Sequence, residues 1–160
     1  MKTAMPIWEA KQHCRDLIVV PASYGKYQKY SSYVREIFRD YTDQVESFGL
    51  DEAWLDITGS LGLFGDPVKI AKEISDRIKR ELGITVSIGV SFNKITAKLG
   101  SDYKKPDAIT VIEPDNYKQI VYPLPVGDLL YVGNATQRKL GICARIGPNA
   151  GRQAGCTFCH

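Results

Sequence analysis

No apolar run in this 160-residue sequence approaches the roughly 20 residues needed to cross a bilayer, so no segment reads as a membrane span. The opening Met1-Lys2-Thr3-Ala4-Met5-Pro6 lacks the hydrophobic stretch and cleavage pattern of a signal peptide, and the chain reads as cytoplasmic. Internal repeats and low-complexity segments are also missing. Cysteine is scarce: Cys14, Cys143, Cys156 and Cys159 are too few and too scattered for a disulfide framework. Cys156-Thr157-Phe158-Cys159-His160 matches the C-x-x-C-H form of haem attachment, but that chemistry belongs to exported proteins and needs a surrounding pocket. A zinc site from Cys143, Cys156, Cys159 and His160 has suitable ligand types without the spacing of paired knuckles, so reduced, unstructured thiols are the favoured reading. Neither sign of charge dominates, with 21 Lys and Arg against 18 Asp and Glu. A net charge of +3 permits a nucleic-acid partner without demanding one, because the binding signal is a basic face and not a total.

What is present is enough apolar residue, 44%, for a real core, in one ordinary domain or a domain with a small appendage. Pro6 to about Cys14 predicts a short helix with proline in its first turn, and Leu17-Ile18-Val19-Val20 a buried strand stopped by Pro21. From Tyr24 to Tyr41, positions Tyr27, Tyr30, Val34, Ile37, Phe38 and Tyr41 recur at three and four, an amphipathic helix whose tyrosines are expected in the core rather than stacked on bases. Val45 to Leu50 and Ala53 to Thr58 predict an antiparallel hairpin. Asp66-Pro67 opens a helix with Val68, Ala71, Ile74, Ile78 and Leu82 on one face, ended by Gly83. Ile84 to Val90 is a strand, Asn93 caps a helix to about Gly100, and Ala108 to Ile112 is a last strand before Pro114, Pro123 and Pro125. The order β-β-α-β after a leading helix is most of a ferredoxin-like, split βαβ sheet of α+β class with its first, central strand absent. That absence would leave backbone groups unpaired, and the expectation is that the flanking strands re-pair or that a second copy or the tail after Cys143 inserts.

The chemistry gathers at Asp51-Glu52, where the hairpin turns. Adjacent carboxylates there usually mean a polar turn, but they also suit a hard divalent cation that keeps positions for water and phosphate. Lys94 and Lys98 share one helix face, and Lys104-Lys105-Pro106 adds two more cations; such a run is usually solvated, yet beside a metal-binding pair it can neutralise a triphosphate. Further on, Leu124 to Leu140, with Gly133 ahead of Ala135, Thr136, Arg138 and Lys139, has the pattern of a helix-hairpin-helix that holds a DNA phosphate. Read alone, it is equally a helix cap.

Six segments in order, Met5-Pro6-Ile7-Trp8-Glu9-Ala10, Tyr24-Gly25-Lys26-Tyr27, Ser47 to Asp56, Ser87 to Lys94, Lys104-Lys105-Pro106 and Leu124-Pro125-Val126, resemble the Y-family translesion DNA polymerases of the bacterial DNA polymerase IV type. The resemblance covers residue 1 to about 142. It implies an end of the fingers at 1–22, an incomplete palm at 23–113, the start of a thumb at 114–142 and a non-family, poorly ordered tail at 143–160. It implies Asp51 and Glu52 as catalytic metal ligands for Mg²⁺ in a two-metal reaction and Lys105 as a triphosphate contact, with Lys94, Lys98 and Asp102 in supporting places. Gly133, Ala135, Thr136, Arg138 and Lys139 become DNA contacts. Primer-template DNA and deoxynucleoside triphosphates are the implied partners, with the sliding clamp open for full-length members and self-association a route to filling the missing strand. The pattern's first strand, with its catalytic aspartate, has no match here, nor has the C-terminal duplex-gripping domain. The expectation is therefore a fragment of a translesion DNA polymerase that is inactive by itself. The alternatives are a non-catalytic damaged-DNA-binding or regulatory fragment and, against the other motifs, a cyclase-like enzyme on a related sheet.

Overall fold

The three- and four-residue spacing of apolar side chains produces the helices on which the rest of the molecule lies. The computed structural model describes residues 5–140. The readings placed on Cys143, Cys156, Cys159, His160 and the tail lie outside the described residues. Helix α1 (Ile7–His13) starts directly after Pro6 and buries Ala10. Helix α2 (Tyr24–Arg39) packs through its C-terminal half, where Ile37 is buried with Val34 and Phe38 beside it; Tyr41, two residues past its end, is buried as well. Here the structure corrects the sequence reading. Tyr27 and Tyr30, expected in the core, are exposed, as are Tyr24 and Tyr33, and the four stack edge-on in two pairs, because the core cluster meets the later turns of α2 at Val34, Ile37 and Phe38. Leu17 to Val20 is a second correction. It forms no strand, no described strand pairs with it, and Ile18 is 84% exposed.

Strands β1 (Val45–Phe48) and β2 (Glu52–Leu55) form the expected antiparallel hairpin, in the register Val45 to Leu55 and Phe48 to Glu52. Gly49, at φ 72°, takes the left-handed turn position that side chains resist. Ser31 and Arg35 of α2 donate to the carbonyls of Leu50 and Gly49, so the helix pins the turn. After a helical turn and the one-turn helix α3 (Leu61–Phe64), α4 (Pro67–Leu82) begins where the Asp66 side chain accepts from the amides of Val68 and Lys69 and ends at left-handed Gly83. Its buried face is Ile70, Ala71, Ile74 and Ile78, while Val68, expected on it, is half exposed.

The second sheet is a parallel pair, β3 (Ile88–Ser91) and β4 (Ile109–Ile112), joined by helix α5 (Lys94–Tyr103). Asn93 caps α5 through the amide of Thr96. The strand expected from Ile84 starts later, at Ile88, because only the stretch opposite β4 has a ladder partner; Ile84 and Val86 pack on the core without one. Beyond β4 come α6 (Tyr117–Val121), a helical turn at Val126–Asp128, and α7 (Asn134–Leu140).

The two sheets do not join. Among the described residues β2 pairs only with β1 and β3 only with β4, and both line one cleft of about 700 Å³. The expected re-pairing of the flanking strands is thus not what is found; α4 and the residues packed on it form an apolar floor beneath both, with Leu55 and Ile57 on one side and Val86 and Ile88 on the other. That shared floor holds the strands apart, since closing the gap would pull one sheet off its packing.

Candidate functional site

The hairpin register decides which side chains meet. Glu46 and Phe48 of β1 lie on the same face as Glu52 and Trp54 of β2, because cross-strand partners point to one side and alternate residues share it. Leu55 lies on the other face and packs into the core. Helix α5 supplies the cations. Lys94 and Lys98, one turn apart, meet the two glutamates in order: Lys94 pairs with Glu46, and Lys98 Nζ lies 3.0 Å from Glu52 Oε1. The Trp54 indole N–H donates to the Lys94 carbonyl at 3.1 Å and its ring lies under the Lys94 ammonium, locking hairpin to helix.

From Lys98 the network continues along α5. Its ammonium reaches Asp102 Oδ2 at 2.6 Å, and Asp102 Oδ1 takes Lys105 Nζ at 2.5 Å. Burial works against the charge on Lys98, but its hydrogen bonds to Asp102 and Glu52 outweigh it and hold its pKa above the ordinary lysine value. Asp102 shows the mirror case: burial opposes its ionisation, and Lys105 and Lys98 together hold its carboxyl below the usual range. Asp51, exposed in the turn, adds a carboxylate without such a partner among the described contacts.

The structure therefore brings Asp51, Glu52, Lys98 and Lys105 to the rim of the same cleft. Gly133, Ala135, Thr136, Arg138 and Lys139 do not line it; they stand on α7 and the residue before it. That segment is tied to the hairpin through Tyr131, whose ring meets Phe48 edge-on at 6.3 Å. Sequence reasoning did not assign Glu46 or Trp54 a part, although both lie two residues along the strands from Phe48 and Glu52, on the site face. A hard cation suits the oxygen donors of Asp51 and Glu52, and one or two carboxylates suffice when phosphate and water complete the shell. Among the described residues, no three potential metal ligands cluster.

The sequence pattern of the impB/mucB/samB family matches residues 1–102, and the chain belongs to that family. A curated relative, DNA polymerase IV of Acetivibrio thermocellus, is 59% identical over 140 residues, which is 88% of this chain and 35% of the relative. Among solved structures, the insertion ternary complex of Dbh DNA polymerase matches with a TM-score of 0.82 and 30% identity, over 91% of this chain and 43% of that one. A Y-family DNA polymerase chimera matches at 0.80 and 31%, over 88% of this chain and 41% of its own. The chain thus spans between a third and a half of the length of these proteins. Its mixed helix and sheet architecture is that of the Y-family polymerases. No described helix is long and apolar enough to cross a membrane.

Proposed function

We propose that this chain carries the carboxylate turn and the triphosphate-binding lysine of a translesion DNA polymerase palm, followed by part of a DNA-holding thumb. The cleft between β2 and β3 is the position of a central palm strand, and the hairpin, α4, β3, α5 and β4 are the rest of a ferredoxin-like palm. Asp51 and Glu52 hold Mg²⁺, which when bound supplies charge neutralisation for phosphoryl transfer. Lys105 contacts the incoming deoxynucleoside triphosphate as a compact charge. Lys98 and Asp102 keep Glu52 and Lys105 on one rim. Gly133, Ala135 and Thr136 offer backbone and hydroxyl donors to a DNA phosphate, and Arg138 and Lys139 add charge that carries no base information.

The observation that carries this reading is the continuous link from Glu52 through Lys98 and Asp102 to Lys105, beside Asp51. In this reading chain 1–160 by itself is expected to bind primer-template DNA without extending it. Fluorescence anisotropy with labelled duplex at rising salt tests the DNA half. Weak, sequence-indifferent binding that falls with salt and weakens in the Arg138→Ala, Lys139→Ala double variant is expected. Tight binding to one sequence that survives high salt would overturn it, as would robust primer extension abolished by Asp51→Ala.

A further inference from the structure

The two lysines of α5 meet the hairpin in different ways. The Lys94 side chain is 59% exposed and its pair with Glu46 stands at the surface, whereas that of Lys98 is 16% exposed and held from two sides. Its ammonium sits against Glu52 Oε1, one of the oxygens that a divalent cation would take. Charges alternate along the rim from Glu52 to Lys98 to Asp102 to Lys105. With Asp51 included, three carboxylates face two ammonium groups, which leaves one net negative charge.

We propose that Lys98 is a placeholder and positioning residue: its ammonium occupies the Glu52 carboxylate in place of a divalent cation, and yields it when the cation arrives with a polyphosphate whose oxygens the ammonium can take instead. The inference rests on the reading of Asp51 and Glu52 as metal ligands. A free cation must displace Lys98 from Glu52 and bear its repulsion at short range, so it binds weakly. A cation carried by a triphosphate brings new acceptors for Lys98 and, through Asp102, for Lys105. The two forms of metal are thereby distinguished by one side chain. Lys94 cannot do the same, since its partner is Glu46, two residue pairs along the hairpin from Glu52 and outside the cleft lining.

The test uses Mn²⁺ as the probe with chain 1–160, following the free-ion signal by electron paramagnetic resonance, and then the Mn²⁺ complex of dATP by calorimetry. Lys98→Met should bind free Mn²⁺ about fivefold tighter than the parent chain, and should bind the Mn²⁺–dATP complex more weakly. Lys94→Met should change free Mn²⁺ binding by less than about twofold, because its exposed charge is screened. A gain in metal affinity paired with a loss in metal-nucleotide affinity is not the mark of simple structural damage. Asp102→Asn, which leaves Lys98 to Glu52 alone, should weaken free Mn²⁺ binding and gives a second reading if the methionine variant fails to fold. Free Mn²⁺ binding that is lost in Glu52→Gln but unchanged or weaker in Lys98→Met would overturn the placeholder role. So would tighter binding in Asp102→Asn. Binding indifferent to both Asp51→Asn and Glu52→Gln would instead overturn the metal-site reading, and the inference with it.

Discussion

The β3–α5–β4 unit and the β1–β2 hairpin face each other across one cleft, and they are held in place by different forces. In the first, strand and helix backbones nearly touch: a Cβ on Gly89 would lie 1.8 Å from the Ala97 carbonyl oxygen, and the Gly89 Cα lies 3.2 Å from where a Cβ on Gly100 would sit. Leu99 and Ile112 are buried there, with Val121 of α6 beside them. The hairpin has half-buried four-residue strands, anchored by Leu55 on the core, by two donors from α2 at its turn, and by Trp54, Glu46 and Glu52 reaching α5. One side of the cleft is therefore fixed by packing, and the other is tethered by polar contacts. Asp51 and Glu52 stand on the tethered side and Lys98, Asp102 and Lys105 on the packed side, so whatever binds between them also sets their spacing.

The largest effect expected from this contrast is on the packed side. Gly89→Ala must push β3 off α5, and urea unfolding should show a loss of at least about 3 kcal/mol. Leu99→Ala leaves a cavity in the same unit and should cost about 2–4 kcal/mol. If either were tolerated at under about 1 kcal/mol, the claim that this half is fixed by packing would fail. On the tethered side, Trp54→Phe removes one hydrogen bond to the Lys94 carbonyl and should cost about 1 kcal/mol, with faster hydrogen exchange across the hairpin. Glu46→Gln breaks only an exposed pair and should change stability by less than about 0.5 kcal/mol.

The smallest effect is in pH. Asp102 is held below its ordinary value of 3.8, so its contribution is complete above that value and is lost as pH falls through the lower folded value. Lys98 is held above its ordinary 10.5, so its contribution is complete below that value and is lost as pH rises through the folded one. The Asp102 contribution should thus fade below pH 3.8 and the Lys98 contribution above pH 10.5, with neither changing between. Trp54 fluorescence in a Trp8→Phe background reads this directly, and a titration near neutrality would contradict it.

Local signals made much of this legible in the sequence. Asp66-Pro67 and Gly83 mark both ends of α4 because capping and left-handed termination depend on residues at the ends themselves. The hairpin around Asp51-Glu52 is legible for the same reason. The Glu46–Lys94 contact joins residues 48 apart, and its geometry depends on how α5 lies over the hairpin, which no local pattern records. Gly89 was the more readable omission, since a glycine inside an apolar strand run signals close backbone approach. The tyrosines of α2 and the run Leu17 to Val20 misled for one physical reason. Periodicity and β-propensity state what a segment can bury, and burial still requires a neighbouring element to lie against it.

In the proposed function, Glu52 of the hairpin and Lys105, just beyond α5, belong to one metal-triphosphate site. Calorimetric titration of Mg²⁺–dATP into chain 1–160 tests it most directly. Binding should fall at least about tenfold in both Glu52→Gln and Lys105→Ala, as expected for removal of a charged contact, and persist in Lys72→Ala, an exposed lysine on α4. Binding that is indifferent to Glu52 and Lys105, or equally sensitive to Lys72, would contradict the account.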